Sequence, residues 1–153
     1  MFTHVANSRV LSIYNVPNIF HVPLIMTKQN FSKQLGTIMN LGNNLLPNLA
    51  SWEIMANHIV NLEQEVKIAI VGKYTGKTSN DAYLSVIKSL EHAANAVDRK
   101  LSILWVEADQ LVDMDNTNQE KYNEAWSQVK ESDGVVVPGG FGLRGMEGKI
   151  RAV

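Results

Sequence analysis

Between Asp133 and Gly145 the sequence reads DGVVVPGGFGLRG, and its residue types suit the stabilisation of negative charge. An Asp-Gly turn leads into three valines, the pattern of a short strand buried on both faces. Pro138 has no N–H to give to a ladder and ends that strand. Gly139, Gly140, Gly142 and Gly145 follow, and the residues beyond them read as a helix start. Glycine serves where a backbone takes positive φ or lies close to a ligand. A strand, a glycine turn and a helix in that order set free N–H groups near a helix N-terminus. The expected occupant is an anion, or an oxygen that becomes anionic during a reaction.

Two other glycine patterns fall short of a mechanism. GKYTGKT (Gly72–Thr78) ends like a phosphate-binding P-loop but has three residues between its first glycine and Gly-Lys, where that loop needs four. GFGLRG (Gly140–Gly145) matches G-x-G-x-x-G, yet it follows a third strand instead of a first and begins after a proline, and the position about twenty residues on where an acidic residue is needed falls past Val153. Asp109, Asp113 and Asp115 read as a solvated loop, with no histidine or further carboxylate at ligand spacing. His92 borders a buried helix stripe and reads as packed or solvated. Trp105 and Trp126 read as core. Lys73 and Tyr74 stand at the carboxyl end of a strand, the edge where open α/β sheets bind ligands.

The elements that position these residues begin at Val66. VKIAIVG is a continuous apolar run ending in glycine, as for a central parallel strand. A helix capped by Asn80 places Tyr83, Val86, Ile87, Leu90, Ala94 and Val97 on one face. LSILWV (Leu101–Val106) is a second strand, Glu120–Lys130 a second helix, and GVVV a third strand. This alternation predicts an α/β fold, the first half of a doubly wound, flavodoxin-like parallel sheet. Upstream, VLSIYNV has strand character, and Pro17 and Pro23 imply an irregular path over a surface. Phe31, Leu35, Ile38 and Met39 fit a helix stopped by Gly42-Asn43-Asn44, and Trp52, Met55, Ile59 and Leu62 mark another from Ser51.

Composition narrows the possibilities. The chain has 153 residues, is 45% hydrophobic and carries a formal charge of -1, which describes a folded protein with no field to gather nucleic acid. No apolar run is long enough to cross a bilayer, and no secretion signal opens the sequence. A cytoplasmic location is expected. Cysteine is absent, which excludes disulfides, thiolate metal sites and a cysteine nucleophile within these residues.

Taken together, VKIAIVGKYTG, DAYLSVIKSLEHA and DGVVVPGGFGLRGMEGKIRA closely resemble the opening of the glutaminase domain of the CTP synthase family. VLSIYNVPNIFHVPLIM resembles the end of that family's synthetase domain. The resemblance divides the chain into a synthetase (amidoligase) end at 1–41, an interdomain linker at 42–65, and the start of a class I glutamine amidotransferase domain at 66–153. It implies a carbon–nitrogen ligase that aminates UTP to CTP with ATP, Mg2+ and ammonia from glutamine, with GTP as allosteric activator. It places Gly140 on glutamine as an oxyanion donor and Phe141 near the GTP cleft. Tyr14, Asn15 and Val16 fall where the backbone cradles the ATP adenine, and Phe2 where an aromatic lines the pyrimidine nucleotide pocket.

The family usually has aspartate where Asn15 stands, a shorter loop than Tyr74–Asp81, and in some members lysine at Leu84. Its cysteine, histidine and glutamate triad falls beyond Val153, and its phosphate loop and magnesium ligands before Met1. The expectation is therefore an inactive fragment, poorly stable alone, of a parent that forms homotetramers or filaments. Two other readings remain: a non-catalytic amidotransferase-like scaffold, and a nucleotide-binding module using GKYTGKT.

Overall fold

The computed structural model describes residues 4–42, 46–73, 80–112 and 118–153. The chain forms two compact units, Met1–Asn61 and Leu62–Val153.

The first unit is helical: α1 (Val22–Lys28), α2 (Phe31–Ile38) and α3 (Ala50–Val60). Residues 10–16 form no strand, contrary to their β-branched composition. Among the described residues no strand pairs with them; instead the Gln29 side chain donates to the Ser12 carbonyl and accepts from its N–H, both at 2.9 Å. Pro23 opens α1, where its missing N–H costs nothing. The irregular path expected there is thus helical from Val22.

Helix α2 forms where the apolar spacing predicts, but its stop comes before Gly42. Asn40 takes the left-handed conformation, φ 53°, and Leu41 N–H returns to the Gly36 carbonyl at 2.9 Å. A short polar side chain tolerates that conformation well enough to close the helix. Asn43 and Asn44, named in the expected stop, lie outside the described residues.

Helix α3, inside the stretch read as linker, packs on the turn at residues 18–21. Trp52 sets its ring edge-on to Phe20 at 5.8 Å and donates its Nε1–H to the Phe20 carbonyl at 2.7 Å. Asn18 accepts the Phe20 N–H at 3.0 Å and donates to the Ala56 carbonyl at 3.1 Å.

The second unit is α/β. Its sheet has the order β2-β1-β3, built from β1 (Glu65–Gly72), β2 (Lys100–Glu107) and β3 (Gly134–Val136). All pairs are parallel, with Ile70 opposite both Trp105 and Val136. This is the order with which flavodoxin-like doubly wound sheets begin. Helices α4 (Leu84–Ala96), α5 (Gln119–Glu131) and α6 (Met146–Arg151) complete it.

Strand β1 is central, so Ala69, Ile70 and Val71 are fully buried. On one face Ala69, Val71, Val106, Ala108, Leu111 and Ala125 form the core, flanked by Leu104, Trp126, Val129 and Val137. On the other, Tyr83 is buried beside Trp105, ring centres 6.2 Å apart. Helix α4 turns Val86, Ile87 and Leu90 partly inward and Ala94 fully, as its spacing predicts. Val97, expected on the same face, is exposed because the helix has ended. Asp98 is left-handed there and Arg99 N–H closes on the Ala94 carbonyl at 2.9 Å.

Candidate functional site

The carboxyl edge of the sheet brings together the end of β1 and the glycine turn after β3. β1 terminates in Gly72, where a Cβ would lie 2.8 Å from the Tyr83 hydroxyl. That hydroxyl accepts the Lys73 N–H at 3.0 Å. The Lys73 side chain then runs beneath the glycine turn and is only 5% exposed. Its ammonium donates to the Phe141 carbonyl at 2.8 Å and to the Gly142 carbonyl at 2.7 Å. No carboxylate pairs with it among the described residues. A second ammonium, from Lys149 on α6, reaches the Pro138 carbonyl at 2.5 Å. Arg144 hydrogen-bonds the Lys73 carbonyl and approaches the Glu107 carboxylate at 3.9 Å.

The glycines divide into two groups. Gly142 and Gly145 have φ of 74° and 70°, a conformation other residues rarely take. Gly148 allows α6 to touch the backbone of Ala108, whose carbonyl a Cβ would overlap. These three are required by the fold. Gly139 and Gly140 are not: both have ordinary φ, a Cβ at 139 meets nothing within 4 Å, and one at 140 meets only lysine side chains at 3.5 Å and beyond. The Gly140 N–H makes no hydrogen bond among the described residues. A bare backbone with an unused donor, flanked by two ammonium groups, suits a partner with developing negative charge.

Burial, then the neighbouring Lys73 charge, lowers the pKa of Lys149 below the ordinary lysine value. Burial disfavours the charged form by taking it from water, and the Lys73 ammonium repels it.

Phe141, at the tip of the turn, is 95% exposed. Helix α6 begins only at Met146, with Gly145 as its N-cap. The amide available at Gly140 is therefore a loop amide and not part of the helix terminus that the sequence suggested. Asp109 sits in a short turn, Ala108–Leu111, with its carboxylate near Gly145. Among the described residues no group of acidic or histidine side chains could hold a metal ion. His92 is exposed on α4. Tyr14 and Asn15 are exposed and Val16 partly buried, all in the first unit. Phe2, Tyr74, Asp113, Asp115 and most of GKYTGKT lie outside the described residues. That first unit also has an apolar groove of about 390 Å³ lined by Phe31, Leu35, Leu41, Leu46 and Pro47. It presents no titratable side chain.

Lys149, Arg144 and the Tyr83 hydroxyl escaped the sequence reading as site residues. A lysine one turn into the helix after a glycine loop was the available signal for Lys149. Nothing in the pattern marks Tyr83 as other than core.

No protein-family model matches the chain. Curated proteins do. CTP synthase 2 of Saccharomyces cerevisiae is 40% identical over 162 residues, covering 99% of this chain. This chain is homologous to part of a CTP synthase. The CTP synthase of Dictyostelium discoideum is 39% identical over 98% of the chain, and that of Drosophila melanogaster 40% over 99%. The chain spans 28%, 28% and 24% of those three CTP synthases respectively. Among solved structures, the glutaminase domain of Trypanosoma brucei CTPS with bound acivicin matches at TM-score 0.47 and 39% identity. That match covers 57% of this chain and 30% of the other.

Proposed function

We propose that this chain supplies the oxyanion side of a glutaminase site within a CTP synthase, a ligase that aminates UTP to CTP with ATP and glutamine-derived ammonia. The observation that carries the reading is the bare Gly139–Gly140 backbone, which internal packing does not require. When a nucleophile adds to the glutamine carboxamide, the carbonyl oxygen takes up negative charge. The Gly140 N–H meets that oxygen, and the nearby ammonium groups favour it. The carbon–nitrogen bond then breaks and ammonia leaves, and water releases glutamate. A cysteine nucleophile would come from outside these residues, which contain none.

The remaining roles follow from the family. Phe141, projecting from the turn, borders a GTP site. The Tyr14–Val16 backbone contacts the ATP adenine, and Phe2 the pyrimidine nucleotide, with Mg2+ held by other segments. The assembly is a cytoplasmic homotetramer or filament.

The test is Gly140→Ala, made in the product of the complete open reading frame. A methyl group there would lie in ordinary contact with the Lys149 and Lys73 side chains beneath the turn, without a clash, and would restrict the glycine backbone that presents the donor. Glutamine-dependent CTP formation should fall about 10²- to 10³-fold, the scale of a lost oxyanion donor. CTP formation from added ammonia should persist. Unchanged glutamine use would refute the assignment.

A further inference from the structure

We propose that Lys73 is a positioning residue for glutamine hydrolysis, clamping the glycine turn by its carbonyls so that the Gly140 amide is held ready for the oxyanion. The inference rests on the glutaminase reading above and adds a residue to it.

Side-chain packing does little to hold the tip of the turn, and at its far end the Leu143 carbonyl accepts the Met146 N–H at 3.2 Å. Gly139, Gly140 and Gly142 carry no side chain, Phe141 is 95% exposed, and Leu143 is 81% exposed. Apolar packing therefore anchors none of the five residues. Fixing a backbone costs conformational entropy, and glycine loses more than other residues. An oxyanion donor is effective only when that ordering precedes the reaction.

Lys73 and Lys149 supply the order from below. Lys149 holds the Pro138–Gly139 peptide by its carbonyl, and Lys73 holds the third and fourth peptides after it, Phe141–Gly142 and Gly142–Leu143. Each peptide is planar with its N–H opposite its C=O. Carbonyls drawn toward the ammonium groups turn the N–H groups of Gly139, Gly142 and Leu143 away from them. The peptides on either side of Gly140 lie between the two clamps. They make no hydrogen bond of their own among the described residues, so their orientation is inherited from their neighbours.

A purely structural reading of Lys73 is weak. Burying an ammonium without a carboxylate is unfavourable, and an apolar side chain of similar length would fill the space at lower cost. What an apolar replacement cannot do is hold two carbonyls of a glycine turn.

The test is Lys73→Met in the product of the complete open reading frame, with glutamine hydrolysis and ammonia-dependent CTP formation measured side by side. Positioning predicts kcat for glutamine lower by about 10²-fold, KM for glutamine within about threefold, and the ammonia reaction unaltered. If wild type hydrolyses glutamine and Lys73→Met matches its kcat, the positioning role is wrong while the glutaminase reading stands. If wild type itself hydrolyses no glutamine, both fall. Should Lys73→Met not fold, the unaltered 153-residue chain decides by 15N NMR. A Lys73 ammonium signal in slow exchange with water, coupled across hydrogen bonds to the Phe141 and Gly142 carbonyl carbons, supports the clamp. A freely exchanging ammonium overturns it.

Discussion

Glycines that look alike in sequence stand under different constraints. At Gly148 a Cβ would overlap the Ala108 carbonyl, so Gly148→Ala must push α6 off the sheet edge. We expect a loss of about 1–3 kcal/mol, the range for overpacking, measured by urea unfolding of the chain. Gly140→Ala should change stability by less than about 0.5 kcal/mol, as for substitutions that disturb no packing. The contrast separates a glycine kept for the fold from one kept for a ligand. Lys149 offers a pH test. Its folded pKa is lowered by burial and by Lys73, so the protonated side chain is a burden at every pH below that value. As pH rises from there to the unfolded value of about 10.4, the unfolded state binds more protons and stability should rise. The difference in unfolding free energy between wild type and Lys149→Met should therefore grow across this window. A flat difference would show that the ammonium is not strained.

Among the elements, the end of β1 illustrates how an aromatic residue from a neighbouring turn fixes a strand terminus. The Tyr83 hydroxyl accepts the Lys73 N–H at 3.0 Å in a buried position. Tyr83→Phe leaves that donor unmatched, and we expect a loss of about 1–3 kcal/mol, read from thermal unfolding. The Lys73 amide should also become quicker to exchange with solvent. In the helical unit the corresponding anchor is Asn18, which ties its own turn to α3 through the Ala56 carbonyl. Asn18→Ala should cost about 1 kcal/mol and disturb the Phe20–Trp52 pair, seen as a change in Trp52 fluorescence.

For the molecule as a whole, the sheet is thin. β3 pairs with β1 along one edge and, among the described residues, has no second neighbour. Near it Val135, Phe141, Leu143 and Ile150 are exposed. An open strand edge beside apolar side chains invites association. The 153-residue chain should self-associate with rising concentration in sedimentation runs, and Val135→Lys should reduce it. A strictly monomeric chain at high concentration would contradict this.

Periodicity and composition were enough to reveal the α/β alternation, the helices near residues 31–38 and 50–60, and the glycine turn after β3, because those signals are local. VGKYT and PGGFG, read together, were enough to suggest the family. Residues 10–16 misled because a β-branched run becomes a strand only when another strand lies beside it. Which glycines the fold requires also depended on distant neighbours, as Gly148 against Ala108 shows. The pairing of Lys73 with the carbonyls of Phe141 and Gly142 joins residues far apart in the chain. Only the folding of β1 alongside β3 sets that ammonium under that turn, because no local pattern encodes a contact between two ends of a sheet.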